Sequence, residues 1–397
     1  MARGRRVMPG QHVTHRHLLT RVDPQNAPRA KLDAIVVPNG RPPVYLKQAI
    51  DAAVRLGAHL LLLCSLRANA NNAAIQARRA GARVTAIDVR RLPAWGIPAF
   101  ETDQLLSRSR EHHRKVDTSL KRNLGLSIAA LAGWKRILFL DDDIELPDLE
   151  DLGVAAGALG EHAVVGLENG GMPDNSVVCH ALRDIGVDQA TFIGGGALAV
   201  GEDAFDSFFP NIYNEDWFFL LDGMGLRPSA VTGLATQKPY DPYRDADRAR
   251  GEELGDTLAE GVFGLLDRGL GLNEADEKYW RGFLPDRRQI IKHTVERVES
   301  STIESAQKAR MIVALKAAIG RSYLIEPELC VKYLQAWQVD NVRWRDHMSK
   351  SRHDVVSFED ALVSLGIDPS RIHWGVEHRI RNGAKRRSNE SRPSVRA

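Results

Sequence analysis

Arg136-Ile-Leu-Phe-Leu-Asp-Asp-Asp-Ile-Glu145 is the stretch that decides the fold. Ile137, Leu138, Phe139 and Leu140 form an unbroken apolar run, too short for a helix of its own, that reads as a strand buried on both faces of a parallel sheet. Three carboxylates follow at once. Side chains alternate along an extended chain, so Asp141 and Asp143 would face one way and Asp142 the other. Such a cluster repels itself unless a cation sits in it, and hard oxygen ligands at a strand end suit Mg2+ or Mn2+, which could hold a diphosphate. The plain alternative is an acidic loop that caps a helix opened by Pro147.

The composition sets limits. With 397 residues, 43% of them hydrophobic, the chain can build a large core and a second region beside it. Lysine and arginine (54) nearly balance aspartate and glutamate (51), so the charge argues for no nucleic acid or other polyanionic partner. Cys64, Cys179 and Cys330 lack pair or metal spacing and read as free thiols. No apolar stretch approaches the ~20 residues of a membrane span, and Arg3, Arg5 and Arg6 have no apolar run behind them. A cytoplasmic, soluble protein is expected.

Residues 1–30 read as a flexible arm. Asp33–Val37 is a short strand ending in the turn Pro38-Asn39-Gly40, and Val44–Leu56 carries Leu46, Ile50, Ala53 and Val54 at helical spacing. His59–Cys64 and Arg83–Val89 are further strands around an Asn72–Ala80 helix. This alternation predicts right-handed βαβ units, whose ligands gather at the carboxyl ends of the strands. Residues 90–116 are less regular. Asp117 or Thr118 can cap a helix with Leu120, Leu124, Ile128 and Leu131 on one face, which places Lys121, Arg122 and Asn123 near its start. Cations there oppose the helix dipole, a cost that an anionic ligand would offset; simple solvation of Lys121 and Arg122 is the alternative. A helix over Leu149–Leu159 and a strand over Ala163–Leu167 follow.

A second informative block runs from Ala190 to Asp222. Phe192-Ile193 leads into Gly194-Gly195-Gly196, and Ala197–Val200 resumes as an apolar strand. Glycine weakens a strand, so either something approaches the backbone closely or the strand bulges. Asn214-Glu215-Asp216-Trp217 then sets two acids among aromatic residues, where partial desolvation would suit a general base; the alternative is that both acids cap a helix over Trp217–Leu221.

Taken in order, V-V-P-N-G-R-P, K-R-N-L-G-L, the D-D-D strand, I-G-G-G-A-L-A-V and N-E-D-W resemble the GT-A fold nucleotide-sugar glycosyltransferases, most closely the family 2-like enzymes, over residues 32–233. The D-D-D is similar to their D-x-D metal motif and Glu215-Asp216 to their E-D motif, whose second acid is the base in inverting members. The resemblance implies an α/β GT-A (nucleotide-diphospho-sugar transferase) fold with a mostly parallel central sheet. It implies a metal-dependent glycosyltransferase of hexosyltransferase type, moving a sugar with inversion from a nucleotide-diphosphate donor to an unidentified acceptor. Asp141 and Asp143 would hold Mn2+ or Mg2+, and Asp216, with Glu215 beside it, would be catalytic. Pro38, Asn39, Arg41, Asp88, Arg122, Asn123, Asp141, Asp142, Gly194 and Gly195 would bind the donor.

The chain departs from the family at Leu63-Cys64-Ser65-Leu66, where many members carry acids that touch the nucleotide; Asp88 is a possible substitute. No Q-x-x-R-W motif of processive synthases follows the E-D segment. The catalytic domain is expected over residues 31–245, a helical C-terminal region over 246–375 and a basic disordered tail over 376–397. Within Gln237–Arg244, Lys238, Tyr240 or Arg244 could touch phosphate or sugar, though the two prolines equally suit a connector. The C-terminal region, with Leu254, Leu258, Val262 and Leu265 in one stripe, would pack on the sheet or build the acceptor side. A sugar-phosphate nucleotidyltransferase and a non-catalytic binding protein of the same fold are the competing readings.

Overall fold

The computed structural model describes residues 14–90, 96–173, 175–351 and 358–374; the basic stretch from 376 onward lies outside them. The strands are β1 Thr20–Arg21, β2 Ala34–Val37, β3 His59–Cys64, β4 Val84–Asp88, β5 Arg136–Leu140, β6 Ile144–Glu145, β7 Val164–Gly171, β8 Ala197–Gly201, β9 Leu221–Asp222, β10 Gly225–Leu226, β11 Ser229–Gln237 and β12 Ile372–Trp374. The helices are α1 Lys47–Leu56, α2 Ala70–Arg79, α3 Glu101–Ser107, α4 Thr118–Leu131, α5 Glu150–Ala158, α6 Val177–Asp184, α7 Glu215–Phe219, α8 Ala246–Leu266, α9 Glu277–Ser300, α10 Ser305–Ser322, α11 Pro327–Ser351 and α12 Phe358–Ser364. No described helix is long and apolar enough to cross a membrane.

One sheet takes the order β1-β11-β7-β8-β5-β2-β3-β4-β12, with β6 also paired to β11. The chain is thus α/β with a mostly parallel central sheet: β4, β3, β2 and β5 run together, β8 is reversed between β5 and β7, and β7, β11 and β1 run parallel again. The apolar strands are buried on both faces, as their unbroken runs require. Ala34 and Val36 face a core shared with α4 and the C-terminal helices, and Ile35 and Val37 face one shared with α1, α2 and α5. Gly125 brings α4 against the sheet, since a Cβ there would stand 2.8 Å from a Val36 methyl.

Two expectations about the chain's ends need correction. Residues 14–30 are not a loose arm: β1 pairs in parallel with β11, Thr20 opposite Ala230, and Arg16 Nε donates to the Thr191 carbonyl at 2.6 Å. His15 is buried, with Nδ1 2.7 Å from Asp267 and Nε2 3.4 Å from Glu260, and its ring meets Trp217, Phe263 and Phe192 edge-on or tilted. The C-terminal region is also not purely helical, because β12 returns to pair antiparallel with β4. Short, polar segments such as these carry no period of their own; partners far away in sequence fix them. Trp280, Trp337 and Trp344 are buried in the helical bundle, and Trp344 donates its indole N–H to the Phe205 carbonyl at 2.9 Å.

Burial alone would lower the His15 pKa, but the hydrogen bonds to Asp267 and Glu260 outweigh it and lift the imidazole to about 9. The folded pKa lies above the unfolded one, so this contribution is complete below about pH 6.5 and is lost as pH rises through about 9. The difference in unfolding free energy between wild type and His15→Gln, measured by urea denaturation, should therefore shrink by about 2–3 kcal/mol between pH 6 and pH 10. A difference that stays constant with pH would contradict it.

Candidate functional site

The parallel strands β2 and β5 lie side by side, and the chain leaves them toward opposite sides of the sheet, from β2 to β3 and from β5 to β6 and β7. A crevice opens beyond the carboxyl ends of strands at such a switch point. Here the turn Pro38–Arg41 and the run Asp141–Asp143 meet. Asn39 is fully buried; its Oδ1 accepts from the Arg41 amide at 3.1 Å and its carbonyl from Lys121 Nζ at 3.1 Å. Asp142 accepts from the amides of Gly40 (3.3 Å) and Arg41 (3.2 Å), so it is a clamp on the turn. The Arg41 guanidinium reaches Asp142 at 3.1 Å and Asp143 at 2.9 Å.

Asp141 stands where three cavities meet. One of about 310 Å3 includes Pro38, Arg41, Arg67, Lys121, Asp142 and Asp143; one of about 610 Å3 includes Arg41, Asp143, Tyr240, Arg244 and Arg248; Asp141 lines both. It also lines a third, of about 210 Å3, with Arg122, Gly194–Gly196, Glu215, Asp216 and Trp217. Burial lifts the Asp141 carboxyl to about 7, against the pull of Arg122 and with help from Asp143 and Asp142, although 30% of its side chain is exposed.

Arg122 joins these parts. Its side chain is only 4% exposed; Nη2 donates to both Asp141 oxygens (3.2 and 3.1 Å) and Nη1 to Glu215 at 3.0 Å. Arg114 reaches the other Glu215 oxygen at 3.3 Å. Asp216 accepts from the Gly195 amide at 2.6 Å and from the Trp217 amide at 3.0 Å. The triple-glycine stretch precedes β8 and does not bulge it. What comes close to its backbone is Arg122: a Cβ on Gly195 would lie 2.3 Å from the guanidinium.

Among the residues read from the sequence, the structure thus gathers Pro38, Arg41, Arg122, Asp141, Asp142, Asp143, Gly194, Gly195, Glu215 and Asp216 around these cavities. It does not bring in Asp88, which is bound by Arg90 through its backbone N–H and its guanidinium, 3.0 and 2.9 Å away. Asn123 is likewise spent elsewhere, holding the Phe209 backbone by both its amide atoms (2.9 and 2.8 Å). Asn39 supports the turn from within the core. Asp117 occupies the cap position of α4 but makes no capping bond; it pairs with Lys121 at 3.0 Å. The Gln237–Arg244 loop lines the largest of the three cavities.

Sequence inspection missed Arg114, Asp256 and Glu260. The two acids come from α8, which carries buried Glu252, Glu253 and Asp256 along one helix. Arg287 of α9 answers them, reaching Glu253 at 2.8 and 3.0 Å and Asp256 at 2.8 Å, while Arg248 holds Glu252 at 2.5 Å. Glu252 is pushed up to about 7, by burial first. Asp256 also accepts from Asn214 at 3.2 Å, and Gly255 lets α8 meet the Tyr213 backbone, where a Cβ would be 2.1 Å from the carbonyl oxygen. Acids repeating at every turn were the available signal.

Asp141 and Asp143 fit a Mg2+ or Mn2+ ion by chemistry. Both are carboxylates open to the same two cavities, and such ions are commonly held by one or two carboxylates with phosphate oxygens and water completing the shell. Among the described residues no group of three acid, histidine or cysteine side chains forms a protein-only cage.

The far end of an arginine would normally yield to an added methyl, but two carboxylates hold this one. Gly195→Ala should cost about 1–3 kcal/mol in urea denaturation. In an Arg122→Met background the same change should cost much less; equal costs in both would refute the contact.

No family model matches the chain, and no curated protein matches it. Among solved structures, a mannosyltransferase from Pyrobaculum calidifontis in complex with GDP-Man and Mn2+ aligns over 84% of this chain and 89% of its own, at 12% identity and a TM-score of 0.40. A likeness at that level carries no argument about activity.

Proposed function

We propose that the chain is a GT-A-type, metal-dependent glycosyltransferase that moves a sugar from a nucleotide-diphosphate donor to an acceptor hydroxyl with inversion. The observation that carries this is the convergence of three cavities on one partly exposed carboxylate, Asp141, beside Asp143, joined through Arg122 to Glu215 and sharing the smallest cavity with Asp216. Asp141 and Asp143 would hold Mn2+ or Mg2+, which supplies charge neutralisation for the departing diphosphate.

The remaining roles belong to the chain. Arg41, on the wall of both larger cavities, is the cation within reach of a diphosphate, and the buried Lys121 holds the turn that carries it. Arg122 keeps Asp141 and Glu215 at fixed separation. Both Glu215 oxygens are bound by guanidinium groups, and Asp216, the second acid of the pair, takes the role of base. Its oxygens accept from two backbone amides, so the carboxylate has a defined direction toward the small cavity. There the acceptor oxygen forms its bond to the anomeric carbon as the bond to the diphosphate breaks, and its proton passes to Asp216. Trp217 and Tyr213 give that cavity apolar walls suited to a sugar ring.

Thermal-shift titration with UDP and GDP, with and without Mn2+, tests the reading; a shift that needs both components is expected. Asp143→Ala should abolish the metal-dependent part without changing the fold, because Asp143 sits at a strand end outside the core. Asp216→Asn should lower turnover by at least ~10²-fold with nucleotide affinity nearly unchanged. Retained anomeric configuration in the product would remove the base assignment.

A further inference from the structure

Asp142 and Asp143 share one cation, and its geometry is divided. The backbone of Arg41 is fixed, since its amide donates to Asn39 and Asp142 and the turn is held from below by Lys121. Its side chain is the free part. It is 36% exposed, lies with its guanidinium carbon 5.5 Å from the centre of the partly exposed Tyr45 ring, and forms part of the wall of both larger cavities. Asp141 is served separately by the buried Arg122.

A divalent cation between Asp141 and Asp143 would bring a second positive charge to the carboxylate that Arg41 now holds through one oxygen at 2.9 Å. The two cations would repel each other and divide the attraction of one negative charge. Ion pairs of this exposure are weak, so release of the guanidinium opposes metal entry only modestly. A diphosphate arriving with the metal would offer Arg41 new anionic oxygens in the same cavities, matched to its forked donors.

We infer that Arg41 is a placeholder cation: it neutralises Asp142 and Asp143 when no metal nucleotide is bound, competes with a divalent ion that arrives alone, and transfers to the diphosphate when the two arrive together. This rests on the metal-dependent reading above. It adds that the chain discriminates against bare metal ion, so that metal and nucleotide bind cooperatively.

The test is a Mn2+ titration followed by the electron paramagnetic resonance signal of the free ion, on wild type, Arg41→Gln and Asp143→Asn, each with and without UDP or GDP. Without nucleotide, Arg41→Gln should bind Mn2+ about fivefold more tightly than wild type, the scale of one partly exposed ion pair. With nucleotide the advantage should vanish or reverse, and Asp143→Asn should bind poorly in both conditions. The residue-41 amide still holds Asp142 in Arg41→Gln, so an unchanged melting temperature is expected. Equal or weaker Mn2+ binding by Arg41→Gln without nucleotide overturns the placeholder while leaving the metal site standing. Failure of every protein to bind Mn2+, even with UDP or GDP, overturns the metal reading and the placeholder with it.

Discussion

The buried guanidinium of Arg122 is the constraint on which the site depends. A charge with 4% exposure needs partners, and it finds Asp141 at the end of β5 and Glu215 at the start of α7. Helix α4, the central strand and the short acidic helix are thereby fixed to one another by a single side chain. Its Nε is buried without a hydrogen-bond partner among the described residues, a cost of about 1–3 kcal/mol. Removing Arg122 would leave two acids uncompensated in a confined space, which is worse than never having had the pair.

The reversal of β8 explains why the glycines stand where they do. Because β8 runs against β5, its beginning lies at the carboxyl edge of the sheet, with Ala197 opposite Leu140. The residues just before it therefore face the crevice. The Gly196 carbonyl accepts from the Asp141 amide at 2.9 Å and the Gly195 amide donates to Asp216 at 2.6 Å, so two adjacent glycines tie the acid cluster to the second acid pair. A side chain at 195 would occupy the space taken by Arg122. Sheet polarity, glycine content and the buried cation are parts of one solution.

The elements of the central sheet were legible because their signals are local. The runs Ala34–Val37, His59–Cys64 and Arg136–Leu140 are apolar without interruption, and burial on both faces is what that pattern encodes. The acids at 141–143 and 215–216 and the glycines at 194–195 were legible as candidates, because each breaks a local rule of strand or helix. Their partners were not. Whether Arg122 was solvated or buried could not be told from its neighbours, since its burial is decided by β5 and α7. Asp88 and Asn123 looked equally suitable, and the fold spends them on Arg90 and on the Phe209 backbone. His15 lay in a stretch with no period, and partners far along the chain, the acids Asp267 and Glu260 and the rings of Phe192, Trp217 and Phe263, make it a core residue.

The C-terminal bundle is bound into the site by charge and by close backbone approach. Asn214 adopts a left-handed conformation, φ 59°, that asparagine tolerates better than most residues, and this turn starts the helix carrying Glu215 and Asp216. Its side chain is anchored on Asp256, which shares Arg287 with Glu253. Gly255 allows the α8 backbone to press against Tyr213, the residue before Asn214. Deleting α9 would strip Glu253 and Asp256 of their cation, and the electrostatic cost would fall on the turn that aims Asp216. Helices that show no catalytic motif in the sequence thus set the direction of the acid proposed as the base, which makes the bundle one wall of the site and not an appendage to it.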